Sequence, residues 1–161
     1  MTAGSVEPRA PVLVLGLGNL LLGDDAVGLR LLEMLQCDPA VGPGVEFIDG
    51  GTQGLALLPY LEGRRALLVL DAVGLGAVPG TVHMMGRGQI ETFRARRAGS
   101  AHEGNALELL ATARMLGDLP DDVTIAGIEP AEVSTGIGLS DEVQAAVPEA
   151  FESARKVLLE L

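Results

Sequence analysis

Two acids stand side by side in GLGNLLLGDDAVG, residues 16–28: Asp24 and Asp25. They follow the apolar run PVLVL, and a third acid, Asp71, ends a similar run in LVLDAV. If the first and third runs are neighbouring parallel strands, as in a sheet of order 2-1-3, their carboxyl ends frame one crevice, the usual place for a ligand in such sheets. Two carboxylates in one crevice repel unless a proton or a cation comes between them, and a divalent metal is the simplest such partner. His102 offers a third ligand. It falls in the first turn of a predicted helix, where the helix dipole disfavours imidazolium, and neutral imidazole is the metal-binding form.

Each of these residues also has a plainer role. Asp24 at a helix start caps it, and Asp25 in the first turn complements the helix dipole. Asp71 can bind loop amides, and His102 can be a surface residue. His83, inside a short strand, reads as structural. Other chemistries lack parts. GLGNLL has Leu21 where a dinucleotide fingerprint needs a third glycine, and the two acids oppose a pyrophosphate, so no cofactor-binding set is assigned. There is no G-x-S-x-G elbow and no H-E-x-x-H pair. Cys37 sits at the tail of a helix beside Asp38, which does not favour a thiolate.

The elements that must carry these residues alternate strand and helix. Residues 12–16, 45–49, 64–73 and 123–128 read as strands buried in a parallel sheet. Residues 81–85 follow Asp71 too closely for a crossover helix, so that strand runs antiparallel, at an edge. Helices are expected over 25–36, from Thr52 as cap through Leu61, from the capping box SAHE at 100–103 to about Leu116, and from Ser140 onward, with Pro148 kinking or dividing the last. Residues 86–99, rich in Gly and Arg, read as a loop. The expectation is a single domain over 1–161, with residues 1–10 flexible. Its fold class is α/β: a three-layer αβα sandwich around a twisted sheet of about five strands, mostly parallel with one antiparallel.

Composition narrows the setting. Hydrophobic residues make up 48% of the 161, with only 2% aromatic, so Leu, Val, Ile and Ala must fill the core. The net charge of −11 opposes a nucleic-acid ligand despite the small cluster Arg94, Arg96 and Arg97. A single cysteine suits a reducing compartment, and no segment is long and apolar enough to span a bilayer, so a soluble cytoplasmic protein without membrane attachment is expected.

Taken in order, GLGNLLLGDDAVG, DGGTQG at 49–54, LVLDAV at 68–73, SAHEGNALELL, GIEP at 127–130 and GIGLS at 136–140 resemble the hydrogenase maturation endopeptidases. That family processes the large subunit of nickel–iron hydrogenases. The likeness runs from about residue 12 to 160. It implies removal of a short C-terminal extension from the large-subunit precursor after nickel insertion. The nickel is supplied by the substrate, and other divalent cations are able to take its place. By the same resemblance, the metal-contacting and catalytic positions are Asp25, Asp71 and His102, with no nucleophile assigned. Many members carry Glu at the first position, so Asp25 is one methylene shorter. Asp24 becomes the neighbouring turn or cap residue, and DGGTQG part of the cleft wall. Two other readings share features with the sequence. A peptidyl-tRNA hydrolase begins with a similar GLGN, but Leu20 and Leu21 replace its Pro-Gly turn and its Thr-Arg-His-Asn segment is missing. A non-catalytic metal-dependent module that binds the same subunit fits the same residues. The oligomeric state is not readable from the sequence.

Overall fold

The structure, a computed structural model, describes residues 8–96 and 105–161, with side chains at 8–92 and 106–161. Five apolar runs form one sheet in the order β2-β1-β3-β5-β4. The strands are β1 (Val12–Leu17), β2 (Val45–Gly51), β3 (Ala66–Ala72), β4 (Val82–Gly86) and β5 (Asp122–Ile128). β1, β2, β3 and β5 are parallel, and β4 is the antiparallel edge strand beside β5. Every residue of β1 is buried, as expected for a strand covered on both faces.

Helices cover both faces. α1 (Val27–Gln36) and α5 (Asp141–Glu160) press Leu31, Leu35, Val147 and Leu158 onto Val12, Val14, Leu68 and Leu70. On the other face, α2 (Leu58–Leu61), α3 (Arg87–Arg96) and α4 (Asn105–Leu116) pack with Leu13, Leu15, Leu67, Val69 and Ile125. Each fully buried leucine contributes about 1.5–3 kcal/mol relative to an exposed one. The expected αβα sandwich with one antiparallel strand is therefore the observed architecture.

Three local expectations are corrected. Residues 87–96 form a helix, α3, rather than a loop. The Gln89 side chain accepts the Gly86 amide, Ile90 is buried in the core, and Glu91 reaches Arg87 and Arg114, which together offset the poor helix propensity of Gly88. Thr52 caps nothing: its segment enters a short 3-10 turn, Gly54–Leu57, without a side-chain cap. Pro148 does not divide α5, which continues to Glu160. Pro148 and Gln144 are exposed, so the carbonyl left without a partner faces water, while buried Val147 and Ala150 hold the turn to the sheet. The capping box at 100–103 lies outside the described residues.

Two glycines bring the amino end of α1 to the site. A Cβ at Gly18 would lie 2.0 Å from the Asp25 carbonyl oxygen, and Gly18 has φ +137. A Cβ at Gly28 would lie 2.4 Å from the carbonyl oxygens of both Leu17 and Leu70. The helix therefore starts in contact with the backbones of β1 and β3. Gly28→Ala is expected to lower stability by about 2 kcal/mol, at the middle of the overpacking range, despite the better helix propensity of alanine. Urea unfolding of the two proteins checks this.

Candidate active site

The acids converge at the carboxyl edge of β1 and β3. Asp25 lies in the 3-10 turn Gly23–Ala26, which packs on β3. Its Oδ2 accepts the Asn19 amide at 2.9 Å. Asp71 lies one residue before the end of β3, is 9% exposed, and accepts the Ala72 amide at 2.9 Å. Burial pushes the Asp71 carboxyl up, and the neighbouring charge of Asp25 raises it further. The Ala72 N–H opposes both, leaving a pKa of about 7. Asp71 thus titrates near neutrality, as groups at reactive sites do. Asp25 and Asp71 lie close enough for their charges to act on one another. The third expected residue, His102, lies outside the described residues. Among the described residues, no three His, Cys, Asp or Glu side chains form a metal-binding cluster.

Asp24, the twin of Asp25 in sequence, has a different task. It does not cap its own turn. Its buried carboxylate reaches the segment after β5: Oδ2 accepts the amides of Ala131 and Glu132 and the hydroxyl of Ser140, and Oδ1 accepts the Ser140 amide, at 2.7–3.0 Å. Burial alone would raise this carboxyl. The hydrogen bonds from Ser140, Glu132 and Ala131 outweigh it and hold the pKa below the usual value. The Ser140 hydroxyl also accepts the Val143 amide and so caps α5. One carboxylate therefore joins the loop after β1, the loop after β5 and the start of the last helix.

A second clamp was not anticipated. Glu129, just past β5 and 5% exposed, accepts the amides of Leu75 and Gly76 and bonds His83 Nε2 at 2.7 Å. His83 is thus structural, as read, and its partner holds the loop that leaves Asp71. The only signal was an acid following an apolar strand in GIEP. Asp71, Gly127 and His83 occupy one register row across β3, β5 and β4. Asp49, in β2, lines a cleft of about 710 Å³ beside α1 and is the one residue of the DGGTQG segment to do so.

A layered α/β sheet with two acids at its carboxyl edge, one of them buried and titrating near neutrality, has the form of an enzyme site at a strand-end crevice. Residues 29–157 match the family described as hydrogenase maturation protease. The chain is 36% identical over 149 residues to the hydrogenase expression/formation protein HupD of Rhodobacter capsulatus, covering 89% of this chain and 71% of that one. It is 33% identical over 150 residues to the hydrogenase 2 maturation protease of Escherichia coli K12, covering 92% and 91%. The solved hydrogenase maturating endopeptidase HybD from E. coli superposes with a TM-score of 0.81 at 32% identity, covering 92% of each chain. The chain belongs to the hydrogenase maturation protease family and is, by that membership, a peptidase.

Asp24 and Asp71, the two buried aspartates, respond oppositely to substitution and pH. Asp24→Asn turns an acceptor into a donor facing donors, and is expected to cost about 2–4 kcal/mol at pH 7. Because the folded pKa of Asp24 is depressed, its contribution is present above the unfolded value of about 3.9 and fades as pH falls through the folded value. Melts of wild type and variant should converge in acid. Asp71 has the reverse sign. Its folded pKa of about 7 exceeds the unfolded value of about 3.9, so ionising it costs the fold on the order of a few kcal/mol above pH 7. In chelator, Asp71→Asn is expected to raise the melting temperature at pH 8 and to make little difference near pH 4.

Proposed function

We propose that this protein is an endopeptidase that removes the C-terminal extension of a nickel–iron hydrogenase large-subunit precursor after nickel insertion. It reads the substrate-bound nickel through Asp25, Asp71 and His102. The observation that carries this reading is the buried Asp71 carboxyl, raised to about 7 beside Asp25. Bringing a divalent ion between these groups relieves their repulsion and displaces the proton from Asp71. Carboxylate oxygens with an imidazole nitrogen make a donor set suited to such an ion, as nickel already held by the substrate or as another divalent cation. Relatives whose names specify hydrogenase maturation support the choice of partner.

In this reading the chain is one half of a metal site and the precursor the other. Asp71 holds or releases its proton at Oδ, Asp25 is oriented by the Asn19 amide, and the Asp24 latch keeps the turn that carries Asp25 in place. The metal supplies Lewis acidity, toward the scissile carbonyl or toward a water. A precursor without nickel lacks the ion that joins the two proteins, so cleavage becomes a checkpoint on loading. No helix among the described residues is long and apolar enough to cross a membrane. With the single exposed cysteine, Cys37, this fits the cytoplasmic setting that we assign.

Nickel-loaded precursor incubated with the protein should lose its C-terminal peptide, and nickel-free precursor should not, as read by mass spectrometry. Asp25→Ala, Asp71→Ala and His102→Ala should each slow the release by about 100-fold or more, the scale of a lost partner in a buried charge set. Full processing by all three variants would remove the proposed site. Binding of the precursor without shortening would favour the non-catalytic module.

A further inference from the structure

Leu20, Leu21 and Ile137 are 59%, 60% and 88% exposed, yet they line the 710 Å³ cleft together with Leu29, Leu139 and Asp49. The backbone beneath them is tied. Gly23 donates to the Gly136 carbonyl at 2.9 Å, Gly136 donates to the Leu21 carbonyl at 2.8 Å, and the Leu21 amide bonds the Asn19 side chain. The Asp24 latch closes the same two loops from below. The result is a groove with fixed walls and apolar side chains held out in water, a cost that is relieved when a partner covers them. Its volume falls in the range of ligand clefts, about 300–1,000 Å³, with room for a few residues of peptide.

The charges around the groove specify the occupant further. Arg30 pairs with Glu33 at 3.6 Å. Among the described residues, Asp49 has no ion-pair partner, and Ala26 in the wall is the chain neighbour of Asp25. The groove thus has apolar side chains on its walls with Gln36 and Gln144 between them, one acid without an ion-pair partner among the described residues in Asp49, and in Ala26 a link through the backbone to Asp25, although neither Asp25 nor Asp71 itself lines it. With a net charge of −11, a second copy of the chain and an anionic membrane surface are both disfavoured. Resting on the reading of the activity given above, we propose that this groove binds an apolar segment of the precursor next to a positively charged centre held at the acids. It thereby sets which stretch of precursor is presented for cleavage.

The test uses the full chain and a synthetic peptide spanning the C-terminal extension, and the residues just before it, of the large-subunit precursor encoded in the same genome. Methyl resonances of Leu20, Leu21 and Ile137 should shift on titration, and replacing the apolar residues of the peptide with Gln should weaken binding several-fold. Leu21→Asp with Ile137→Asp should raise KM for nickel-loaded precursor at least about tenfold with kcat within about twofold. The exposed positions predict an unchanged melting temperature; should that pair fold poorly, Leu21→Ser with Ile137→Ser replaces it. An unchanged KM, self-association that buries these residues in sedimentation, or binding to anionic vesicles with none to the peptide would overturn the groove assignment. Peptide-induced shifts in a protein that never shortens the precursor would support the groove while sinking the activity, so the two failures are told apart.

Discussion

Asp24 has four hydrogen-bond donors aimed at its two oxygens, three of them from loops more than a hundred residues away and one from the hydroxyl that caps α5. Nearly everything at the carboxyl edge of the sheet depends on that arrangement. It joins the turn holding Asp25, the wall holding Ile137 and the first turn of the longest helix. The bonds form at good length inside a site 1% exposed, so they are strong where water cannot compete. A carboxylate so fully engaged has little left to offer a metal. Asp24 and Asp25 therefore divide the labour within one dipeptide, one fixed in the frame and the other turned to the mouth.

The contrast with Asp71 shows how environment sets the role of a chemical group. Both Asp24 and Asp71 are buried carboxyls. Asp24 meets donors and stays ionised, whereas Asp71 meets one donor and a like charge, and its proton is retained to near neutrality. A fold that keeps such a group does so at some expense in stability, which the rest of the core must absorb. The leucine- and valine-rich layers on both sides of the sheet supply it.

Much of this was legible in the residues. Continuous apolar runs identified the strands, and the shortness of the link from Asp71 to Thr81 identified β4 as antiparallel, because a crossover helix needs more chain. That the Asp24–Asp25 dipeptide faces the same crevice as Asp71 followed from the strand order; the choice of Asp25 over Asp24 came from the family likeness. What the residues hid were relations across long separations and helices without clear periodicity. α3 has glycine and arginines in place of an apolar stripe, and its order comes from a side-chain cap and ion pairs that no linear pattern displays. Asp24 looked like a cap because its true partners lie beyond residue 130. The Glu129–His83 bond likewise joins positions 46 residues apart. His102 was singled out by its place in a capping box and by family likeness, and falls outside the described residues.

The opposite edge of the sheet has its own practical meaning. Arg65 donates its backbone amide to the Pro11 carbonyl and its guanidinium to the Leu161 carbonyl. Pro11 and Leu161 are therefore neighbours where β1 and β3 begin, a strand's length away from the acidic mouth. Anything fused, tethered or immobilised through either position projects from the base of the molecule, and a large guest protein remains free to approach from above.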